Sequence, residues 1–165
     1  MTPTGAVSIS IRVADEAWIA TALLHREQPN REDFTIAEIV ARARAEALTP
    51  EQRPGLRVHV QQHCVANRPP NPNKLRMLFA TGRHTRRLFR GGDSFHQDRR
   101  HGRIAPGRDE IPARYHPLLD WYEQEYSRGT RPARDSILEL VGLGKEMWKD
   151  VDPDEYVRKL REGWE

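Results

Sequence analysis

KLRMLFATGRHTRRLFR, residues 74–90, is the stretch on which the reading of this chain turns. Two short apolar runs flank Gly82, as in a strand, a turn and a returning strand. Leu75, Met77 and Phe79 alternate, which predicts one shared face for them. The stretch also carries six Lys and Arg residues and no acid, far more positive charge than a strand pair needs. Arg83, His84, Arg86 and Arg87 fall at the tip and on the return strand, where such a hairpin would meet phosphates.

Three helical patterns precede the hairpin. From Asp15 to about Arg26, Trp18, Ile19, Ala22 and Leu23 share one face. A turn follows at residues 28–31. Thr35-Ile-Ala-Glu38 then reads as a capping box, opening a helix with Ile36, Ile39, Val40, Ala43 and Ala47 on its inner stripe. Thr49-Pro-Glu-Gln52 repeats the start signal, Pro54-Gly55 interrupts it, and a third helix is predicted from Leu56 to about Asn67. Leu56, Val60 and Cys64 would face inward, leaving Arg57, Gln61 and Gln62 nearer to solvent. The prolines of RPPNPN (68–73) end it.

Helix, helix, helix, hairpin is the order of a winged helix-turn-helix. The expected fold is therefore mainly α with a small β-hairpin, followed by an extended helical C-terminal tail. In helix-turn-helix folds the recognition helix enters the major groove of duplex DNA. Arg57, Gln61, Gln62 and Asn67 are base-reading types, guanidinium for guanine and carboxamide for adenine. The same pattern occurs in winged helices that bind protein, so an interaction adaptor without an operator is the alternative.

The charge distribution favours DNA over a merely solvated basic face. Residues 1–51 hold 5 basic and 8 acidic groups, residues 52–108 hold 13 and 2, and residues 109–165 hold 9 and 14. Segment charges of −3, +11 and −5 are thus hidden in a net +3. Self-repulsion in the middle segment would be relieved by a polyanion.

The 165 residues suit one domain, or a domain plus a tail, and 37% apolar against 31% charged residues predicts a modest core. One cysteine, Cys64, excludes an intrachain disulfide framework and points to a reducing cytoplasm. The N-terminus lacks the pattern of a signal peptide, and no apolar run approaches the roughly 20 residues that span a bilayer. A cytoplasmic protein without membrane contact is expected.

Three segments result: 1–92, the DNA-binding domain; 93–126, a basic arm with Arg99, Arg100, Arg103 and Arg108 and then an accessory helix; and 127–165, a linker and tail. Tyr115, Leu118, Leu119, Tyr122 and Tyr126 form the stripe of the accessory helix, which would pack on the domain or pair with a second copy as a homodimer. In the tail, Trp148, Tyr156, Leu160 and Trp164 are too many aromatic and apolar groups for a short amphipathic segment to bury, which suggests either a groove on another protein or folding back onto the domain.

Residues 137–165, ILELVGLGKEMWKDVDPDEYVRKLREGWE, resemble the C-terminal tails of bacterial antitoxins of the VapB type. The carriers are Gly142, Gly144, Lys145, Trp148, Asp152, Tyr156, Arg158, Leu160, Arg161 and Trp164. The resemblance implies wrapping of a PIN-domain ribonuclease toxin through Trp148, Tyr156, Arg158, Leu160, Arg161 and Trp164, and repression of the chain's own promoter. Residues 1–126 resemble a bacterial winged-helix family instead, a departure from the ribbon-helix-helix or swapped hairpin usual in such antitoxins.

No enzyme, cofactor or metal site is expected. His59 and His63 have a spacing that can hold zinc, but no further ligands complete a set. Gly142-Leu-Gly-Lys145 lacks the spacing of a phosphate-binding loop. Asp120, Glu123 and Glu125 read as a solvated helix face, and no nucleophile, base and orienter combine.

Overall fold

A computed structural model describes residues 10–51, 53–70 and 72–128. The chain divides into two compact units, Met1–Arg128 and Gly129–Glu165, and the described residues all belong to the first. That unit is mainly helical, with a small three-stranded antiparallel sheet.

Helix α1 (Val13–Glu27) runs through its middle. Trp18, Ile19 and Ala22 are buried as the stripe predicts, but so are Ala14, Asp15, Glu16, Ala17, Ala20 and Thr21. Neighbours on several sides, rather than one, account for this: α1 packs on the second and third helices, the sheet and the last helix. Alanines between the large side chains let those neighbours approach closely.

Strand β1 (Phe34–Thr35) leads directly into α2 (Ile36–Glu46). The capping box forms as the spacing requires. The Glu38 amide donates to Thr35 Oγ1 at 3.1 Å, and the Thr35 amide donates to Glu38 Oε2 at 2.8 Å. Ile36, Ile39, Val40 and Ala43 are buried, whereas Ala47 is exposed and ends the helix in the left-handed region at φ 51°. The start signal at Thr49 opens no helix; its hydroxyl donates to the Glu51 carbonyl at 2.9 Å.

Helix α3 (Leu56–Val58) continues as a wider, π-helical turn over His59–His63. Leu56, Val60 and Cys64 are buried, as the pattern predicts. The helix stops short of Asn67 because the chain beyond Cys64 joins the sheet. Val65 bridges to Leu78, and the Ala66 amide donates to the Leu78 carbonyl at 2.8 Å.

Strands β2 (Leu78–Ala80) and β3 (Thr85–Leu88) form the hairpin, and β1 adds a strand that the sequence pattern did not indicate. The sheet order is β1-β3-β2, with Leu78 opposite Leu88, Phe79 opposite Arg87 and Ala80 opposite Arg86. The predicted face is inward only in part: Met77 is fully buried, but Leu75 is half-buried. Leu78 and Leu88 are fully buried, while Phe79 is half-buried on the other side. The strand begins only at Leu78, because the Arg76 and Met77 amides donate to Arg103 and Cys64 rather than across the hairpin.

Residues 93–128 are part of the same core. Helix α4 (His116–Trp121) continues as a π-helical turn over Tyr122–Tyr126. Tyr115, Leu118, Leu119 and Tyr122 are buried, and Tyr122 meets Trp18 edge to face at 5.4 Å. The Tyr122 hydroxyl donates to the Phe89 carbonyl, and the Gly91 amide donates to the Ser127 carbonyl at 2.9 Å. The accessory stripe is thus consumed within one copy of the chain, and a homodimer would need another surface. Among the described residues no helix is long and apolar enough to cross a membrane.

Candidate nucleic-acid interface

A helix leaves its last four carbonyls without intrahelical partners. In α3 and its continuation these belong to Val60, Gln61, Gln62 and His63, and two arginines take all four. Arg86 donates through Nε to Val60 at 3.2 Å and through Nη2 to Gln61 at 3.1 Å. Arg99 donates through Nη2 to Gln62 at 2.9 Å and through Nη1 to His63 at 2.8 Å. Both residues are 0% exposed. A cation suits this place, since the helix dipole puts partial negative charge at its C-terminal end.

Each guanidinium also binds a second segment. Arg86 Nη1 donates to the Thr85 carbonyl at 2.7 Å and the Gly82 carbonyl at 3.0 Å, so one side chain ties the hairpin turn to the end of α3. Arg99 reaches the carbonyls of Arg68 (2.7 Å), Pro69 (3.1 Å), Asn73 (3.3 Å) and Leu75 (2.6 Å), fastening the proline-rich loop. Burial, with Arg68 nearby, pulls the Arg86 guanidinium down to about 10, still charged at neutral pH. Burial lowers Arg99 as well.

These placements correct the assignment of two arginines to phosphates. Arg86 faces inward for the reason just given. Arg87 is buried too, paired with Asp93 through two 2.7 Å contacts and lying over the Phe79 ring at 4.5 Å. Burial opposes its charge, but the Asp93 pair prevails and the net shift is upward. Asn67 is removed from the base-reading set as well. Its carboxamide accepts from the Ala80 amide at 2.9 Å and donates to the Ala80 carbonyl at 3.0 Å, acting as an extra strand partner.

The basic arm also dissolves into the fold. Arg99 is internal, Arg103 pairs with buried Asp15 at 2.9 Å and with Glu110, and Arg108 pairs with Asp120. Of its four arginines, Arg100 is exposed with no ion pair among the described residues.

What remains at the surface is a smaller set. Arg57 and Gln61 are exposed one turn apart on α3, Gln62 is half-buried beside them, and Arg83 and His84 are exposed at the hairpin turn. Arg86 links the main chain of Gln61 to that of Gly82 and Thr85, so the helix face and the turn share one neighbourhood. The turn is braced on its far side, where the Ile36 amide donates to the His84 carbonyl at 2.9 Å and Thr81 Oγ1 donates to Asp33 at 2.6 Å. Val58, 45% exposed on the same helix, is an apolar group the sequence reading did not single out.

His59 and His63 touch edge to face with centroids 4.7 Å apart, and among the described residues no three His, Cys, Asp or Glu converge as metal ligands would. Burial pushes the Cys64 thiol up to about 12, leaving it inert. Trp148, Tyr156, Arg158, Leu160, Arg161 and Trp164 lie outside the described residues. Neither protein families nor curated proteins nor solved structures match this chain.

Proposed function

We propose that residues 10–128 are a winged helix-turn-helix domain that binds duplex DNA, and that the whole chain is an antitoxin repressing its own promoter. The observation that supports the DNA reading is the Arg86 bridge, which ties the main chain of Gln61, on the helical face that also carries exposed Arg57, to that of Gly82 and Thr85 at the turn carrying exposed Arg83 and His84. A helix face of Arg and Gln suits base edges, and a basic turn alongside suits phosphates. The order of three helices and a hairpin supports the winged-helix assignment. The antitoxin half rests on the resemblance of residues 137–165 to VapB-type tails, which would clasp a PIN-domain toxin.

The experiment is binding of the full chain to duplex from upstream of its own gene and to unrelated duplex, across a salt series. Affinity should fall with salt by about 0.9 in log–log slope per phosphate contact. Arg83→Ala should reduce that slope by about one contact on every sequence, whereas Gln61→Ala should relax preference at one base position. Absence of binding at low salt would reject the DNA reading. Exposed Val58 favours the second reading, a protein-binding adaptor; in that case Val58→Asp would abolish partner binding with no operator involved.

A further inference from the structure

The two sides of the sheet differ in what they carry. Leu78 and Leu88 are buried in the core, so alternation turns Phe79, Arg87 and Phe89 to the opposite face. The ladder reaches Phe89, whose amide donates to the Met77 carbonyl at 3.0 Å. On this face Arg87 is buried with its guanidinium 4.5 Å from the Phe79 ring centroid, while Phe79 stays half-exposed. A second stack is built on Phe89. Arg76 lies 4.5 Å from the Phe95 ring and 5.5 Å from the Phe89 ring, and its Nε donates to the Gly102 carbonyl at 3.1 Å. Phe95, 38% exposed, is one of two large apolar side chains left at the surface of the described residues. Arg87 and Phe89 follow each other on one face of the strand, so a rise of about 3.3 Å per residue sets the two stacks roughly 7 Å apart.

The surroundings are basic. Of the six Lys and Arg residues in 74–90, Arg86 is internal and Arg87 pairs with Asp93. Lys74, Arg76, Arg83 and Arg90 make no ion pair among the described residues. Of the acids close to Phe95 in sequence, Asp93 is taken by Arg87 and Asp98 faces His96 at 3.7 Å. Aromatic rings flanked by cations that no acid neutralises suit bases and phosphates together. A duplex keeps its base faces stacked inside, and an unpaired strand offers them. We infer that this face of the sheet binds single-stranded nucleic acid, with one base on Phe79, the next on Phe95, and phosphates on Lys74 and Arg76. The site uses no residue of α3, so it is independent of the duplex reading.

The test is fluorescence anisotropy of labelled oligothymidine and oligouridine, each of about 12 nucleotides, titrated with the full chain at low salt. At least one of them binds, and the tighter one identifies the strand as DNA or RNA. Phe95→Leu keeps an apolar group at an exposed position but removes the aromatic plane, and should weaken binding by about fivefold or more. Phe95→Trp, which keeps a plane, should bind as the parent does. Phe79→Leu should weaken binding comparably, and Lys74→Ala should lower the salt slope by about 0.7. Phe95→Leu should leave duplex binding unchanged, and its urea midpoint reports whether the fold is intact. The inference is overturned if neither strand binds, if binding survives both leucine variants, or if Phe95→Leu weakens duplex and single strand alike. Single-strand binding without duplex binding would reject the reading of α3 and support this site.

Discussion

Replacing Arg99 by Met removes a donor from six carbonyls, of which that of Gln62 keeps the Val65 amide as a partner. Each buried acceptor left without a partner costs about 1–3 kcal/mol, though repacking recovers part of the sum. Arg99→Met should therefore lower stability by about 3 kcal/mol or more, whereas exposed Arg100→Met should stay within about 0.5 kcal/mol of the parent. Urea midpoints of the two variants make the comparison. Nothing in the local sequence separates these neighbours; only the arrival of two carbonyls from the end of the α3 continuation, those of Gln62 and His63, and of the proline-rich loop assigns one inward and one outward. His25 offers a pH test. It is buried, its Nε2 accepts from the Leu88 amide at 3.3 Å, and burial, with Arg90 and Arg87, depresses its pKa from 6.5 to about 3. The folded state keeps His25 neutral where the unfolded chain takes up a proton. Its contribution is complete above pH 6.5 and is lost as pH falls toward about 3, at about 1.4 kcal/mol per pH unit. Wild-type stability should drop by about 2 kcal/mol between pH 6.5 and about 5, and His25→Gln should lack that slope. Asp15 and Glu16 shift upward by burial and act in the opposite sense, so the difference in slope between wild type and His25→Gln, rather than the wild-type slope itself, measures the His25 contribution.

The elements differ in how local their causes are. The capping box of α2 was legible because its donors and acceptors lie within four residues, and the structure forms both bonds. The register of β2 was not, because its first residue is set by Cys64 and Arg103, which take the Met77 and Arg76 bonds from far along the chain. Gly102 shows the same dependence. A Cβ there would come within 1.7 Å of the Lys74 carbonyl oxygen, so the 93–112 segment can lie against the hairpin's approach only with glycine at that point. Helix α4 makes a testable claim at this scale. Its Tyr122 is buried against Trp18 and donates to Phe89, so Tyr122→Ala should cost about 3–5 kcal/mol as a large-to-small core substitution. Chemical denaturation would measure it. A cost below about 1 kcal/mol would mean that α4 is an appendage and not part of the core.

For the molecule as a whole, the +11 of residues 52–108 looked like one electrostatic footprint. The fold divides it. Arg86, Arg87, Arg99 and Arg103 serve carbonyls and carboxylates inside, and Arg57, Arg83 and Arg100 remain exposed. DNA binding should therefore involve fewer phosphates than the raw charge suggests. If the tail neutralises a toxin, fragment 1–128 should still bind DNA but fail to protect cells co-expressing a PIN-domain ribonuclease encoded beside this chain, while full-length protein protects. Equal protection by the fragment would end the antitoxin reading. Helix order, the α2 cap, the inward positions of α3 and the hairpin follow from the sequence alone, because spacing within a few residues sets which groups share a face or reach a neighbouring amide. Which arginines are internal and where β1 joins came only with the tertiary structure. Those outcomes depend on carbonyls and side chains brought together from distant parts of the chain, and a guanidinium reads the same in sequence whether water or the end of a helix surrounds it.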